Sequence, residues 1–499
     1  MLRAGSSRHI DHDQTAALDQ KRGKSSASTL SVPRAGRAEA SAINLAGQRI
    51  HFVGIAGAAL SGLAQICLAA GAKVSGSDLA SSPATERLQQ AGATIYAGHA
   101  AKQVAGATLV VISSAVPQDN VEVTAARARG VPVLKRHEFV GQLMQDRHGV
   151  GVAGTHGKTT TTSMIALILE DAALDPTLLV GGEMRDLGVS AKRGSGPHFV
   201  VEADEYDRAF LHMPCEVAVI TNIEADHPDI YPTLADMVDA YRQFVRLVPL
   251  GGTIIANWDD PQVRALVKSL RSKSSPIVVT YGVAHSGQWW ASELAANERG
   301  GWDFTVWRLG RNLGRFSLGV PGLHNVSNAL AALAATERLG VGIERARATL
   351  ARFQGAARRF EVKGQRGGVT VVDDYAHHPS EIRATLAAAR QRFPSHKVWA
   401  VFQPHTYTRT AALMDEFARA FRDADHVLVT DIFAARETNT LGVNSQDLAK
   451  RMSHPDARYV GDLTAAANAL AAEVRGDDVV LTLGAGDVYR VGDLLLSKG

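Results

Sequence analysis

The chain has 499 residues, of which 45% are hydrophobic and 21% charged, so it is long enough for two or three soluble globular domains. The formal net charge is +3, and residues 1–46 hold seven Lys or Arg against four Asp or Glu. The rest of the chain is therefore formally neutral, and its charge does not indicate a nucleic-acid-binding surface. Only Cys67 and Cys215 are present and no apolar run approaches the roughly 18 residues of a membrane span, so we expect a cytoplasmic protein without disulfides.

Residues 1–46 are rich in Ser, Ala, Arg and Gly and show no sustained hydrophobic period. We expect a disordered tail. A transit peptide is the alternative, although four acidic residues are atypical of one.

The ordered sequence opens with a strand–turn–helix–strand unit. A strand that ends at Val53 enters a glycine turn, and the second strand ends in an acid about 20 residues after that turn, which is typical of a nucleotide-binding Rossmann-like domain. The glycines of this turn match the dinucleotide-binding pattern G-x-G-x-x-G only imperfectly. We predict such a domain over residues 47–148. Its candidate ligand-binding residues are Gly54, Gly57 and Asp78 and, after a later strand, Ser114, for which a polar turn is the alternative.

A second domain, predicted over residues 149–356, begins with a buried strand, the loop G-T-H-G-K-T-T and a helix. Backbone N–H groups of such a loop and the dipole of the following helix bind phosphate, and the lysine reaches the outer phosphates. The threonine after the lysine places its hydroxyl on Mg²⁺. The predicted ATP-binding residues are Gly154, Thr155, His156, Gly157, Lys158, Thr159 and Thr160.

Polar residues follow the next two strands. Glu202 comes directly after the strand at 198–201, and we predict it to be an Mg²⁺ ligand because a carboxylate beside a P-loop commonly holds that ion. The other acids of this run, Asp204, Glu205 and Asp207, are expected to cap or pair locally. His227 follows the next strand on the same edge, which favours a metal role over a structural one.

The end of the second domain carries two asparagines at a helix start. Residues 275–320 favour short antiparallel strands without chemistry. Asn325 and Asn328 are three residues apart and both face a ligand if they do not simply cap the helix.

A third domain, again a Rossmann-like parallel sheet, is predicted over residues 357–499, because strands and helices alternate again. Arg358 and Arg359 at its start suggest phosphate contact across an interdomain cleft, with solvated charge as the alternative. Polar residues again follow its strands, in the segments that begin at Asp373 and Gln403.

Three α/β domains in this order resemble the Mur ligase superfamily of peptidoglycan synthesis, and the resemblance covers about residues 48–499. The H-H-P and F-Q-P-H loops favour its alanine-adding branch over relatives that add later amino acids or tripeptides. The motifs are G-I-x-G at Gly54, E-A-D-E at Glu202, N-I-E-x-D-H at Asn222, H-N-x-x-N-A at His324, R-R-F at Arg358, D-D-Y-A-H-H-P at Asp373, F-Q-P-H at Phe402 and G-A-G-D at Gly484.

The resemblance implies that ATP activates the lactyl carboxylate of UDP-N-acetylmuramate as an acyl phosphate, which the amine of L-alanine then attacks. It implies that Lys158, Thr159, Glu202, His227 and Mg²⁺ serve phosphoryl transfer. It also implies that the first domain holds UDP through Gly54, Gly57, Ser77 and Asp78. It also implies that Asn325 and Asn328 contact the adenine side of ATP, that Arg359 and Asp374 reach the nucleotide, and that His377 and Arg409 hold the muramate and alanine. We expect a monomer or homodimer that closes over its substrates.

The sequence departs from the family pattern at a few positions. Ala56 stands where glycine is common, Leu60 where methionine is common, and Tyr206 where serine is frequent. Thr406 replaces a frequent arginine before the aromatic residue of the F-Q-P-H loop. If that arginine binds substrate in the family, Arg409 or another group must contribute more to substrate binding in this chain.

Three other functions compete with this interpretation. The nearest is a ligase of the same superfamily that reattaches recycled murein tripeptide. A dehydrogenase that uses the first domain for NAD leaves the P-loop, Glu202 and His227 without a purpose. A non-catalytic ATP-binding regulator predicts ATP binding without turnover that depends on an acid and an amine.

Overall fold

A computed structural model describes residues 43–270 and 275–497, so most of the predicted tail lies outside the described residues. The described chain forms three β-sheets of five, ten and six strands. Among these residues no helix is long and apolar enough to cross a membrane. The predicted boundaries at residues 47, 149 and 357 stay predictions. Each sheet is formed by strands from one of the three segments, except that the second sheet begins one residue earlier, at His148.

The first sheet is entirely parallel, as predicted, with strand order β3-β2-β1-β4-β5. Gly62 in its first helix lies against the second domain, where an added Cβ would be 2.9 Å from the Ala191 Cβ. The elements are β1 (Arg49–Val53), α1 (Ala58–Ala69), β2 (Lys73–Asp78), α2 (Pro83–Gln90), β3 (Thr94–Ala97), β4 (Leu109–Ile112), α3 (Val121–Ala128), β5 (Val133–Lys135) and α4 (Arg136–Leu143).

The second sheet has the order β15-β14-β13-β12-β11-β10-β6-β9-β7-β8. Its strands are β6 (His148–Ala153), β7 (Thr177–Met184), β8 (Val189–Lys192), β9 (His198–Glu202), β10 (Val217–Ile220), β11 (Thr253–Asn257), β12 (Ile277–Gly282), β13 (Trp289–Ala296), β14 (Trp302–Arg308) and β15 (Arg311–Leu318). Its helices are α5 (Lys158–Asp171), α6 (Leu234–Arg246), α7 (Pro261–Ser269), α8 (Leu323–Arg338) and α9 (Ile343–Arg352), with a 3₁₀ segment at Tyr206–His212.

The central strands of this sheet are parallel and buried on both faces, which explains the continuous apolar runs of β6 and β10. Helix α5 is buried almost all round because it packs between the sheet and helices α8 and α9. The prediction for residues 275–320 was partly wrong. Only β13, β14 and β15 pair antiparallel, whereas β12 continues the parallel sheet beside β11.

The third sheet has the order β16-β17-β21-β18-β19-β20, and only its edge strand β16 is antiparallel. Parallel pairing of the other five strands agrees with the predicted Rossmann-like domain. The elements are β16 (Glu361–Arg366), β17 (Val369–Asp374), α10 (Pro379–Arg392), β18 (Val398–Phe402), α11 (Tyr407–Ala412), α12 (Met414–Ala418), β19 (His426–Thr430), α13 (Ser445–Arg451), β20 (Ala457–Gly461), α14 (Leu463–Glu473), β21 (Val479–Leu483) and α15 (Tyr489–Ser497).

Candidate active site

The loop between β6 and α5 has the backbone that phosphate binding requires. Gly154 and Gly157 have φ of +144° and +81°, a region that side chains disfavour. An added Cβ at Gly154 would lie 1.8 Å from the Thr221 hydroxyl, and one at Gly157 would lie 2.7 Å from the Asn328 side-chain oxygen. Both positions therefore require glycine, and the loop delivers Lys158 to the first turn of α5.

Lys158 is held by a carboxylate that the sequence analysis did not select. Its Nζ donates to Glu205 Oε1 and Oε2 at 2.8 and 2.9 Å, and to the Gly154 carbonyl at 2.6 Å. Burial disfavours the ammonium charge, but Glu205 outweighs this effect and raises the lysine pKa. Glu205 Oε1 also lies 3.6 Å from Nε2 of His227. A buried carboxylate thus links the phosphate-binding lysine to the predicted metal-binding histidine.

The expectation that the other acids of this run cap or pair locally was only partly confirmed, because Asp204 accepts from the Tyr206 N–H at 3.1 Å but the acids also make distant contacts. Asp204 accepts from Arg136 at 3.1 Å, and Asp207 accepts from Lys135 at 2.9 Å, so both reach the first domain. Asp207 and the following residue adopt left-handed backbone, which turns consecutive side chains in different directions. The spacing of the acids along the sequence does not report this turn.

Thr159 and Glu202 lie together at the edge of the sheet. Burial raises the pKa of the Glu202 carboxyl, while the Gly181 N–H and the Thr159 hydroxyl oppose that shift by hydrogen bonding. A hydroxyl and a carboxylate are the hard oxygen donors that Mg²⁺ prefers, whereas the imidazole of His227 is a less typical ligand for that ion. The donor set therefore fits Mg²⁺ through Thr159 and Glu202.

Asn325 and Asn328 contact each other and the P-loop rather than capping α8. Nδ2 of Asn325 donates to the Pro321 carbonyl at 2.6 Å, and Nδ2 of Asn328 donates to Asn325 Oδ1 at 3.0 Å. Gly322 is the N-cap of the helix and neither asparagine side chain caps it. Asn328 consequently lies beside Gly157, next to the phosphate-binding loop.

The third domain brings an arginine to the P-loop. Arg359 Nη2 donates to the Thr159 hydroxyl at 3.4 Å, and its guanidinium lies 5.0 Å from the centroid of the Tyr375 ring. Arg358 instead binds inside its own domain, to the Asp373 carboxylate at 2.9 Å and the Gly484 carbonyl at 2.8 Å. Only the second arginine of the pair therefore spans the cleft.

Asp374 and His377 lie at the carboxyl end of β17. Asp374 accepts from the Phe360 and Ala376 N–H groups at 2.7 and 2.8 Å, and burial raises its pKa to about 6. His377 Nδ1 is hydrogen-bonded to the Tyr375 carbonyl at 2.9 Å, so this nitrogen carries the proton. Burial lowers the pKa of His377 to about 3, so the ring is neutral at neutral pH.

Arg409 crosses to the second domain, where Nε donates to Asp226 Oδ1 at 2.8 Å. A further polar cluster joins the same domains. His156 Nδ1 lies 3.2 Å from Glu381 Oε1, its Nε2 lies 3.5 Å from Glu224 Oε2, and Ser380 donates to Glu224 at 2.5 Å. Burial disfavours the imidazolium, but the two carboxylates outweigh it and raise the His156 pKa to about 9.

His156, Glu224 and His378 also place ligand atoms within 4.8 Å of one another, close enough to hold a metal ion. However, both ring nitrogens of His378 are hydrogen-bonded, one to the Ser380 N–H at 3.3 Å and the other to the Ala225 carbonyl at 3.2 Å. We therefore assign this cluster to the contact between domains.

The predicted UDP-binding residues meet at the carboxyl edge of the first sheet. The Gly54 N–H donates to the Ser77 carbonyl at 2.8 Å, the Gly57 N–H donates to the Gly54 carbonyl at 3.3 Å, and Asp78 accepts from the Ala56 N–H at 2.9 Å. Ser114 is not part of this group, because its hydroxyl donates to Asp207 at 2.9 Å.

Glu122 is a buried residue of this edge that the sequence analysis missed. It accepts from the Ser77 hydroxyl at 2.5 Å, and it lies 2.7 Å from His99 Nδ1 and 3.3 Å from His51 Nε2. A glutamate in the first turn of α3 gives no sequence signal, since such a residue normally only complements the helix dipole.

The chain matches three family models. They are the Mur ligase family catalytic domain over residues 49–148, the Mur ligase middle domain over 152–336 and the Mur ligase glutamate ligase domain over 358–486. Two relatives called UDP-N-acetylmuramate–L-alanine ligase are similar over most of the chain. The protein of Caldanaerobacter subterraneus subsp. tengcongensis is 44% identical, covering 90% of this chain and 98% of its own, and that of Salinibacter ruber is 46% identical, covering 89% and 94%.

Two solved structures agree with the fold. The UDP-N-acetylmuramate–alanine ligase of Thermotoga maritima is 30% identical with a TM-score of 0.76, and a murein peptide ligase of Psychrobacter arcticus is 27% identical with a TM-score of 0.70. Each comparison covers 90% of this chain and 98% of the other. The chain belongs to the Mur ligase family and, within it, to the UDP-N-acetylmuramate–L-alanine ligases.

Proposed function

We propose that this chain joins L-alanine to the lactyl carboxylate of UDP-N-acetylmuramate at the expense of ATP. The observation that best supports this proposal is that two arginines of the third domain contact the second domain at separate points. Arg359 meets the P-loop at Thr159, and Arg409 meets the segment after β10 at Asp226. A site assembled from two domains suits a reaction whose nucleotide and amine must meet while water is excluded.

The reaction has two steps that balance simply. An oxygen of the lactyl carboxylate attacks the γ-phosphorus of ATP, ADP leaves, and an acyl phosphate forms. The amine of L-alanine then attacks the acyl carbon, the carbon–oxygen bond to phosphate breaks, and the amine loses a proton. Arg359 supplies positive charge to the transferring phosphoryl group, and Lys158, which is paired with Glu205, donates hydrogen bonds to it. Phosphoryl transfer depends mainly on such electrostatic contacts and on in-line placement.

We assign Mg²⁺ to Thr159 and Glu202, with His227 as a third residue near the phosphates. The ion neutralises charge on the phosphate oxygens when bound. Glu205 positions Lys158 for the same phosphates through its two hydrogen bonds of 2.8 and 2.9 Å. We assign His377 to the muramate or the alanine, and because its ring is neutral it adds no charge to the site.

The remaining ATP contacts follow the P-loop. The backbone of Gly154, Thr155, His156 and Gly157 and the first turn of α5, including Thr160, surround the phosphates, while Asn325, Asn328 and Asp374 face the nucleoside. The first domain holds UDP through Gly54, Gly57, Ser77 and Asp78. Ser114 supports the domain contact through Asp207 instead. We place the protein in the cytoplasm, where its nucleotide substrates are, and expect a monomer or homodimer.

Phosphate release from ATP and Mg²⁺ tests this proposal. We expect release only when UDP-N-acetylmuramate and L-alanine are both present, and none from Lys158→Ala. Gly, L-Ser and D-Glu are tested in place of L-alanine as control amino acids. A murein tripeptide, the substrate of the related ligase, is tested in the same way. Release that depends on the tripeptide rather than on L-alanine would move the chain to that branch of the family.

A further inference from the structure

A cavity of about 350 Å³ lies between the second and third domains. Its walls include Tyr206 and His227 from one domain and Thr406, Arg409 and Arg436 from the other. Under the proposed function, on which this inference rests, the incoming L-alanine enters here and brings one carboxylate that needs a cation. By the family resemblance, Thr406 stands at a position where an arginine is frequent, and its hydroxyl supplies no cation.

Arg409 is already neutralised. Its Nε donates to Asp226 at 2.8 Å, its Nη1 lies 3.1 Å from His405 Nδ1, and the side chain is only 6% exposed. A guanidinium that is paired with a buried carboxylate contributes hydrogen bonds but little net charge to a second carboxylate.

Arg436 has no such partner. Within residues 43–270 and 275–497 no carboxylate lies within 4.0 Å of its guanidinium, whose contact is the face of the Tyr206 ring at 4.6 Å. The three acids of the cavity wall are hydrogen-bonded to other groups, and the first of them, Asp204, accepts from Arg136 at 3.1 Å. Asp229 accepts from the Tyr206 hydroxyl at 3.1 Å and Glu437 accepts from the Thr408 N–H at 2.9 Å. The cavity therefore contains a guanidinium that is available to an anion.

The loop that carries Arg436 is fixed beside Thr406 on both sides. The Phe433 N–H donates to the Pro404 carbonyl at 2.8 Å, and the Thr406 N–H donates to the Phe433 carbonyl at 2.9 Å. On the other side, Glu437 accepts from the backbone and hydroxyl of Thr408 at 2.9 and 2.5 Å. These contacts hold the backbone of Arg436 against the loop that carries Thr406.

We propose that Arg436 binds the α-carboxylate of the incoming amino acid and replaces the guanidinium that is missing at Thr406. Arg409, fixed by Asp226, forms the neighbouring wall of the same subsite. Arg436 is thus a substrate-binding residue that determines recognition of a free amino acid, and it takes no part in phosphoryl transfer.

The test compares L-alanine with L-alaninamide, which keeps the amine and lacks the carboxylate. In Arg436→Gln we expect the KM for L-alanine to rise about 10- to 100-fold, the loss of one charge-assisted contact. We expect kcat to change by less than about threefold and the KM values for ATP and UDP-N-acetylmuramate to stay constant. The preference for L-alanine over L-alaninamide should fall by the same factor as kcat/KM for L-alanine.

Two further variants complete the design. Thr406→Arg combined with Arg436→Gln should restore the KM for L-alanine, because it returns a guanidinium to the same side of the cavity. Arg419→Gln removes an exposed arginine of the same domain that does not line the cavity and should change nothing. An unchanged KM in Arg436→Gln, or equal losses with L-alanine and its amide, would overturn the inference. Absence of alanine-dependent turnover in the unaltered protein would instead overturn the proposed function.

Discussion

The guanidinium of Arg409 and the carboxylate of Asp226 form an ion pair across two domains, with Nε and Oδ1 separated by 2.8 Å and side-chain exposures of 6% and 5%. Burial opposes ionisation of Asp226, but Arg409 outweighs it and holds the pKa of the carboxyl well below its usual range. The pair therefore fixes the third domain against the loop that carries His227.

Asp226→Asn should weaken this contact between domains. Loss of one partner leaves the arginine charge buried without compensation, which costs about 3–5 kcal/mol in a closed structure. The domains relieve part of that cost by separating, so we expect kcat/KM for L-alanine to fall about 100-fold, as measured by phosphate release. Asp239→Asn, which removes an exposed partner of Arg242, is the control and should have no effect. Equal activity of the two variants would contradict the role of the pair.

Glu205→Gln should impair the chemical step more than ATP binding. The variant removes the charge that holds Lys158 through bonds of 2.8 and 2.9 Å, while the P-loop backbone remains intact. We expect kcat to fall about 10- to 100-fold and the KM for ATP to change by less than about fivefold. Steady-state kinetics measure both, with Glu216→Gln as a surface control. A large rise in KM at constant kcat would show that Glu205 serves ATP binding instead.

Glu202→Gln should reduce the affinity for Mg²⁺, since an amide is a weaker ligand than a carboxylate for a hard cation. We expect the Mg²⁺ concentration for half-maximal phosphate release to rise at least tenfold. Asp207→Asn, from the same acidic run, should leave this concentration unchanged because Asp207 binds Lys135 and Ser114. A raised Mg²⁺ requirement in Asp207→Asn but not in Glu202→Gln would contradict the assignment of Glu202 as the Mg²⁺ ligand.

His156 gives a pH-dependent contribution to stability. Its folded pKa of about 9 lies above the ordinary value of 6.5, so the contribution is complete below about pH 6.5 and is lost as the pH rises through about 9. It amounts to about 1–3 kcal/mol. We therefore expect the free energies of unfolding of the unaltered protein and His156→Gln to differ at pH 6.5 and to converge near pH 9.5, in urea titrations. A constant difference would show that the ring stabilises by packing alone.

The sequence was sufficient to predict those elements that are marked by a required glycine or by polar residues at the end of a strand. The P-loop and the turn at Gly54 need a positive φ, and only glycine adopts that backbone readily, so both could be predicted. Alternating strands and helices likewise indicated three parallel sheets. The antiparallel edge strand β16 was missed because residues 361–366 are polar and only half buried.

The contacts between distant residues could not be predicted. Glu205 lies in a run of acids whose local spacing does not show which one meets Lys158, 47 residues away. Arg409 and Asp226 are 183 positions apart, and their ion pair forms only when the two domains are assembled. Arg436 belongs to an exposed loop, where a lone arginine is usually just solvated.

The most direct test of the central claim follows the oxygen atoms of the lactyl carboxylate. UDP-N-acetylmuramate labelled with ¹⁸O in that carboxylate is incubated with ATP, Mg²⁺ and L-alanine, and the released phosphate is examined by mass spectrometry. An acyl phosphate intermediate requires one ¹⁸O atom to leave with each phosphate, and we expect this transfer to depend on L-alanine. Phosphate that is released with L-alanine but without ¹⁸O would contradict activation of the carboxylate by ATP.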